Sequence, residues 1–268
     1  MTDALRAKPT MIELLPDEIH LWFTFVDEVH DDGLLGRYRS LLTKQERQKE
    51  QGFHFQADQH RYLVTRALVR TVLSRYLDKA PESWFFVQDS FGKPVIGNGI
   101  PMAQKIEFNI SHTEGLIVCG VRSGGALGVD IERLNNRPAL LNIADEYFSA
   151  IEKKALTLLP DELKVERLFQ YWTLKESYIK ARGCGLSIPL NKFGFHFYQT
   201  GRASLFVDRQ LEDQPSSWRF WQLRPSPEHL AAVCAKRSAN DCQRLIVRKV
   251  VPFRSEQTLN YVAVLESD

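Results

Sequence analysis

Val165-Glu-Arg-Leu-Phe-Gln-Tyr-Trp-Thr-Leu-Lys-Glu-Ser-Tyr-Ile-Lys180 is the stretch on which the fold turns. At 100° per residue, Val165, Leu168, Phe169, Trp172 and Ile179 fall on one stripe, so the segment reads as an amphipathic helix. Its span is about 161–182: Pro160 precedes it, Gly183 and Gly185 stop it, and Pro189 prevents it from resuming. Glu176 lies in the middle of the apolar stripe and Lys180 follows one turn later at its edge. A carboxylate pointing inward costs several kcal/mol unless it meets a cation, a metal or a hydrogen-bond network. A Glu176–Lys180 ion pair at i, i+4 would meet that need on an exposed face, for a few tenths of a kcal/mol. A solvated pair, however, normally sits opposite the apolar stripe.

Working outward, Leu127-Gly-Val-Asp-Ile-Glu132 reads as a strand. Alternation puts Leu127, Val129 and Ile131 on one face and Gly128, Asp130 and Glu132 on the other. Carboxylates two residues apart stand about 7 Å from each other. At that distance they repel by about 2.4 kcal/mol at an effective dielectric near 20. A hard divalent cation reverses the sign, and a fully solvated strand face makes the cost small. Upstream, Phe108-Asn-Ile-Ser-His-Thr113 ends a strand before a turn to Leu116. A hydroxyl, an imidazole and turn N–H groups there suit an anion. Adjacent Ser111 and His112 do not make a nucleophile and base, and no G-x-S-x-G elbow is present. Lys44, Arg47, Lys49 and Arg61 precede or open a helix over His60–Leu77, and Gly92-Lys93-Pro94 forms a rigid basic turn. No Walker loop is present, and Gly183-x-Gly185 follows a helix, so it is read as a helix stop and not a dinucleotide fingerprint.

The remaining signals describe the setting. Strands are expected at Ile19–Val26, Trp84–Val87, Ile106–Ile110, Leu116–Val121 and Leu127–Ile131, then at Phe193–Tyr198, Ala203–Val207, Trp218–Leu223, Leu230–Ala235 and Arg244–Val251. Thr43-x-x-Glu46 and Ser149-x-x-Glu152 are capping boxes that open two shorter helices. The two halves carry similar element orders, so the expected fold class is α+β: two similar subdomains, 1–125 and 126–268, parted at Ser123-Gly124-Gly125, with chemistry in the cleft between them. The 268 residues include 35 Lys and Arg against 33 Asp and Glu, a net charge of +2, which argues against a nucleic-acid partner. No long apolar run suggests a membrane span, and no secretory signal is evident. Four scattered cysteines, none in C-x-x-C spacing, suit a reducing compartment, so a cytoplasmic location is expected.

Three ordered blocks, Phe108-Asn-Ile-Ser-His112, Gly128-Val-Asp-Ile-Glu132 and Trp172-Thr-Leu-Lys-Glu-Ser-Tyr-Ile-Lys180, resemble the 4′-phosphopantetheinyl transferase superfamily, in its long, monomeric Sfp type. The resemblance spans about residues 44–190. It implies two α+β halves in a pseudo-two-fold relation with the active site between them. It also implies transfer of the phosphopantetheine arm of coenzyme A to a serine of an acyl or peptidyl carrier protein, with release of 3′,5′-ADP. By that resemblance Asp130, Glu132 and Glu176 hold Mg²⁺ (or Mn²⁺), and Glu176, Lys180 and His112 are the catalytic groups. Coenzyme A would touch Lys49, Arg61, Lys93, Pro94, Asn109, Ser111, His112, Asp130, Glu176 and Lys180. The family's second basic residue one turn before Lys49 is Glu46 here. Two other readings use the same acids: a Mg²⁺-dependent phosphohydrolase of a nucleotide-type diphosphate, and a non-catalytic relative that binds coenzyme A or carrier.

Overall fold

The computed structural model describes residues 10–99, 105–134, 141–198, 201–238 and 242–267. In chain order these hold β1 (Glu18–Phe25), α1 (Asp32–Leu41), α2 (Lys44–Gln51), α3 (Gln56–Leu73), β2 (Phe86–Gln88), β3 (Pro94–Ile96), β4 (Ile106–Thr113), β5 (Leu116–Ser123) and β6 (Leu127–Arg133). Then come α4 (Leu141–Tyr147), α5 (Ala150–Thr157), α6 (Asp161–Arg182), β7 (Phe193–Phe197), β8 (Arg202–Val207), β9 (Trp218–Ser226), β10 (His229–Lys236), β11 (Arg244–Val251), β12 (Ser255–Leu259) and β13 (Ala263–Ser267). The fold is mixed α+β. Both expected capping boxes form: the Thr43 and Ser149 hydroxyls accept from the N3 backbone while Glu46 and Glu152 reach back to the cap. Helix α6 has the expected limits and ends on Gly183 in the left-handed conformation.

Two sheets carry the architecture. One has strand order β12-β11-β1-β5-β4, the other β6-β10-β9-β13-β8-β7, and β2 and β3 form a separate hairpin. Alternation along the strands sorts the side chains into three cores. In β5, Ile117, Cys119 and Val121 pack with α1 and α3, while Leu116 and Val118 face the other sheet. In β10, Ala231, Val233 and Ala235 face the first sheet, while Ala232 and Cys234 pack with α6. The layers are therefore helices, sheet, sheet, helices. The central strands are buried on both faces, which is why they read as unbroken apolar runs.

Sheet membership departs from the division at residue 125. Strands β11 and β12 lie in the second half of the chain but belong to the first sheet, where β11 runs parallel to β1 with Ile19 opposite Leu245 and Leu21 opposite Val247. The reason lies in burial: β1 is covered on both faces, so the backbone groups along both its edges need ladder partners, and β5 supplies only one edge. The expected boundaries shift locally as well. The helix placed at His60–Leu77 spans Gln56–Leu73, because Ser74 ends it and Trp84 and Arg70 lock the following loop. Helices α1 and α4 and strands β3, β12 and β13 are further elements that patterning did not separate from loops.

Candidate active site

Strands β4 and β6 are the edges of the two sheets, and they lie side by side with no shared backbone ladder. Side chains join them instead. The Asn109 Oδ1 accepts the Val129 N–H at 2.9 Å, and the Thr113 Oγ1 accepts the Arg133 N–H at 3.2 Å. Between them the Ser111 hydroxyl donates to Asp130 Oδ1 at 2.9 Å. Residues 109, 111 and 113 project to one face of β4, so a period-2 polar stripe on one edge strand meets the open edge of the other.

Helix α6 packs on β6 beside this seam. Gly128 makes that approach possible, since a Cβ there would overlap the Ser177 carbonyl oxygen and the Ala181 nitrogen of the α6 backbone. Lys180 thereby reaches β6, where its ammonium donates to Asp130 Oδ1 at 2.6 Å and to Ser111 Oγ at 2.9 Å. The alternative i, i+4 pairing of Lys180 with Glu176 gives way to a pair with Asp130 on β6 and a contact with Ser111 on β4. The helix also differs from the one-sided reading. It packs against β6 and β10 on one side and α4, α5 and β7 on the other, so most side chains from Leu168 to Ala181 are buried. Trp172, Glu176 and Lys180, four residues apart, form its partly open stripe. Glu176 therefore faces the seam instead of the apolar core.

The electrostatics follow from this crowding. Burial, reinforced by the negative charge of Asp130 and Glu176, pushes the Glu132 carboxyl up to about 7, although the Trp172 indole donates to it. Burial and Asp130 also raise Glu176. Asp130 itself is buried, with Oδ1 doubly engaged and Oδ2 without a hydrogen-bond partner. His112 is exposed at the mouth of the site, yet the surrounding protein and the charges of Arg61 and Lys180 hold its imidazole below the ordinary value.

A pH dependence follows. Between 4.5 and about 7 the folded chain keeps a proton on Glu132 that the unfolded chain gives up. This group's contribution to stability therefore falls as pH rises through that window, and the full penalty stands above it. In metal-free protein, Glu132→Gln should match the parent near pH 4.5 and melt higher above pH 7. Equal melting temperatures across the range, read by calorimetry, would show that Glu132 ionises freely.

The other expected residues lie on α2, on α3 and at the start of β3. Arg61 pairs with Asp58 at 2.5 Å and lies within electrostatic reach of His112. The Lys49 ammonium stands 5.6 Å from the Tyr62 ring centroid, which joins α2 to α3. Lys93 pairs with Glu107 of β4, and Pro94 begins β3. Glu46 has a structural partnership: besides its cap it holds Arg66, and Arg70 at 2.5 Å. A buried pair that patterning missed is Lys175, one residue before Glu176, with Glu152.

The family model described as the 4′-phosphopantetheinyl transferase superfamily matches residues 126–234, and one described as 4′-phosphopantetheinyl transferase, N-terminal, matches residues 35–122. The chain belongs to this superfamily, and it is an enzyme, a 4′-phosphopantetheinyl transferase. Among its relatives, the 4′-phosphopantetheinyl transferase HetI of Nostoc sp. is 31% identical over 226 residues, 84% of this chain and 91% of that protein. The 4′-phosphopantetheinyl transferase Sfp of Bacillus subtilis is 32% identical over 199 residues, 74% of this chain and 84% of that protein. A phosphopantetheinyl transferase of Thraustochytrium sp. is 28% identical over 226 residues, 78% of this chain and 75% of its own. These relatives leave the phosphohydrolase alternative without support.

Proposed function

We propose that the enzyme moves the phosphopantetheine arm of coenzyme A onto a serine hydroxyl of an acyl or peptidyl carrier protein, with Mg²⁺ as cofactor and 3′,5′-ADP as the leaving product. The observation that carries this reading is the meeting of the Lys180 ammonium, a buried Asp130 with one free oxygen, and two carboxyls whose ionisation is held up. A diphosphate with its divalent cation has a use for both signs of charge in that set.

The side chains fit magnesium chemically. Their donors are hard oxygens, Asp130 Oδ2 is buried and unpartnered, and a cation would relieve the repulsion that raises Glu132 and Glu176. Among the described residues no group of three or more His, Cys, Asp or Glu side chains is arranged to hold a metal ion by itself. Mg²⁺ is usually bound through one or two carboxylates together with waters and substrate phosphate oxygens, so the reading does not require such a group. Asp130, Glu132 and Glu176 would hold the ion, and its chemistry there would be to offset charge on the diphosphate.

The chain's own residues do the rest. The Lys180 ammonium adds positive potential where charge grows on the phosphoryl oxygens. His112, neutral at physiological pH because its affinity for a second proton is lowered, serves as a hydrogen-bond donor to phosphate. Lys49, Arg61 and Ser111 attract the anionic nucleotide end, Lys93 and Pro94 border the adenine, and Asn109 supports the seam. Glu176 takes the serine proton as the serine O–P bond forms and the P–O bond to 3′,5′-ADP breaks. Its place on the partly open stripe of α6, within electrostatic reach of Asp130, suits it to receive that proton.

Each sheet holds one parallel pair in an otherwise antiparallel order, β1 with β11 and β8 with β13, which supports two similar halves in an approximate two-fold relation. We read the enzyme as a cytoplasmic monomer without nucleic-acid or membrane partners. Its four cysteines carry free thiols, and among the described residues no helix is long and apolar enough to cross a membrane.

Incubation with coenzyme A and Mg²⁺ should add one phosphopantetheine mass to an apo carrier protein, with equimolar 3′,5′-ADP. Release of 3′,5′-ADP at the same rate without carrier would instead mean hydrolysis.

A further inference from the structure

Lys175 precedes Glu176 and, about 100° away around the helix, points into the core of the second sheet's layer. Both Lys175 and its partner Glu152 are 0% exposed, and the ion pair is 2.9 Å long. Every proton of the ammonium has an acceptor: Glu152 Oε2, the Leu190 carbonyl at 2.8 Å and the Phe193 carbonyl at 2.6 Å. The carboxylate is equally engaged. Its Oε2 accepts from the Ser149 N–H and hydroxyl at 2.9 and 2.8 Å, and its Oε1 from the Phe195 N–H at 3.1 Å. Gly194 leaves room for it, since a Cβ there would lie 2.6 Å from the Glu152 carboxyl carbon. One charge pair thus ties α6 to the start of α5, to the loop at Leu190 and to β7.

A fully buried ion pair is a poor source of net stability, because desolvation of both ions offsets their attraction, and well-packed apolar residues of like volume often do as well. What the pair supplies is direction. Lys175 is one residue from Glu176, about 100° around the helix. Pinning Lys175 at three acceptors therefore sets the rotation of α6 that turns Trp172, Glu176 and Lys180 toward β6. From the other side, the α6 backbone rests on Gly128. The helix is gripped on two faces within one turn of Glu176.

We propose that Glu152 and Lys175 are positioning residues for transfer: they act through α6 to hold Glu176 and Lys180 at the seam. This rests on the reading of Glu176 and Lys180 given above. The test is the double variant Glu152→Gln with Lys175→Met, which keeps a capping-box side chain at 152, removes both charges together and roughly conserves volume. Its folded fraction and melting temperature are measured beside kcat and KM on an apo carrier with coenzyme A. The expected result is a folded protein with kcat per folded molecule at least tenfold lower. A kcat equal to the parent's in folded protein would overturn the proposal, because a merely structural pair lowers the folded fraction and leaves turnover per folded molecule unchanged. Single variants that leave one charge buried should lose far more stability than the double variant; equal losses would also overturn it. Glu176→Gln, assayed alongside, separates the two readings. If it loses transfer while the double variant keeps it, the positioning role alone falls. If it keeps transfer, the assignment of Glu176 falls first.

Discussion

Glu176→Gln should lower carrier modification by about 10²–10⁴-fold, the usual contribution of a positioned acid or base, and leave the fold unharmed. Glu176 sits on the partly open stripe of α6 beside Asp130, and its carboxyl already holds its proton more tightly than usual. A neutral amide of the same shape removes like-charge repulsion, so metal-free protein should melt at the parent's temperature or slightly above it. Loss of turnover with intact melting would separate chemistry from folding in one pair of measurements. Turnover within a few-fold of the parent would remove Glu176 from both of its assigned roles. A collapse in melting temperature would show that the carboxylate is instead a structural anchor.

Gly128→Ala should be the most damaging of the glycine-to-alanine changes, having the closest contacts of any glycine. The added Cβ meets backbone on α6, at Ser177 and Ala181, and backbone cannot swing aside as a flexible side chain can. Overpacking of this kind costs about 1–3 kcal/mol, occasionally more. Relief requires α6 to lift from β6, which stretches the contact of Lys180 with Asp130 and Ser111. Melting temperature and transfer should therefore fall together, whereas Glu176→Gln should move only the second. Unchanged melting in Gly128→Ala would mean that the helix and strand are less tightly opposed than the structure has them.

Much of the architecture was open to reading from local pattern. Capping boxes at Thr43 and Ser149, the limits of α6 and the strand at Arg244–Val251 depend on neighbours a few residues away, and all appear where expected. Short elements fared worse: β3 is three residues long, and β12, at a sheet edge, is polar and exposed. The rotation of α6 is not legible from local pattern either. Amphipathic reading assumes one wet face, and α6 is covered on two sides, so its polar stripe had to be found from burial. Lys175 shows the same difficulty: a lysine in a helix reads as solvated until Glu152, Leu190 and Phe193 are known to surround it.

What the residue order determined by itself was chemical inventory and local form: which carboxyls, ammonium and hydroxyl exist, and which strand or helix carries each. Their meeting belonged to the tertiary structure. Asp130 and Lys180 are fifty positions apart and share a hydrogen bond only because Gly128 lets α6 rest on β6 and Asn109 holds β6 to β4. Local periodicity encodes which face a side chain takes on its own element. The distance between two elements is set by the packing of every layer around them.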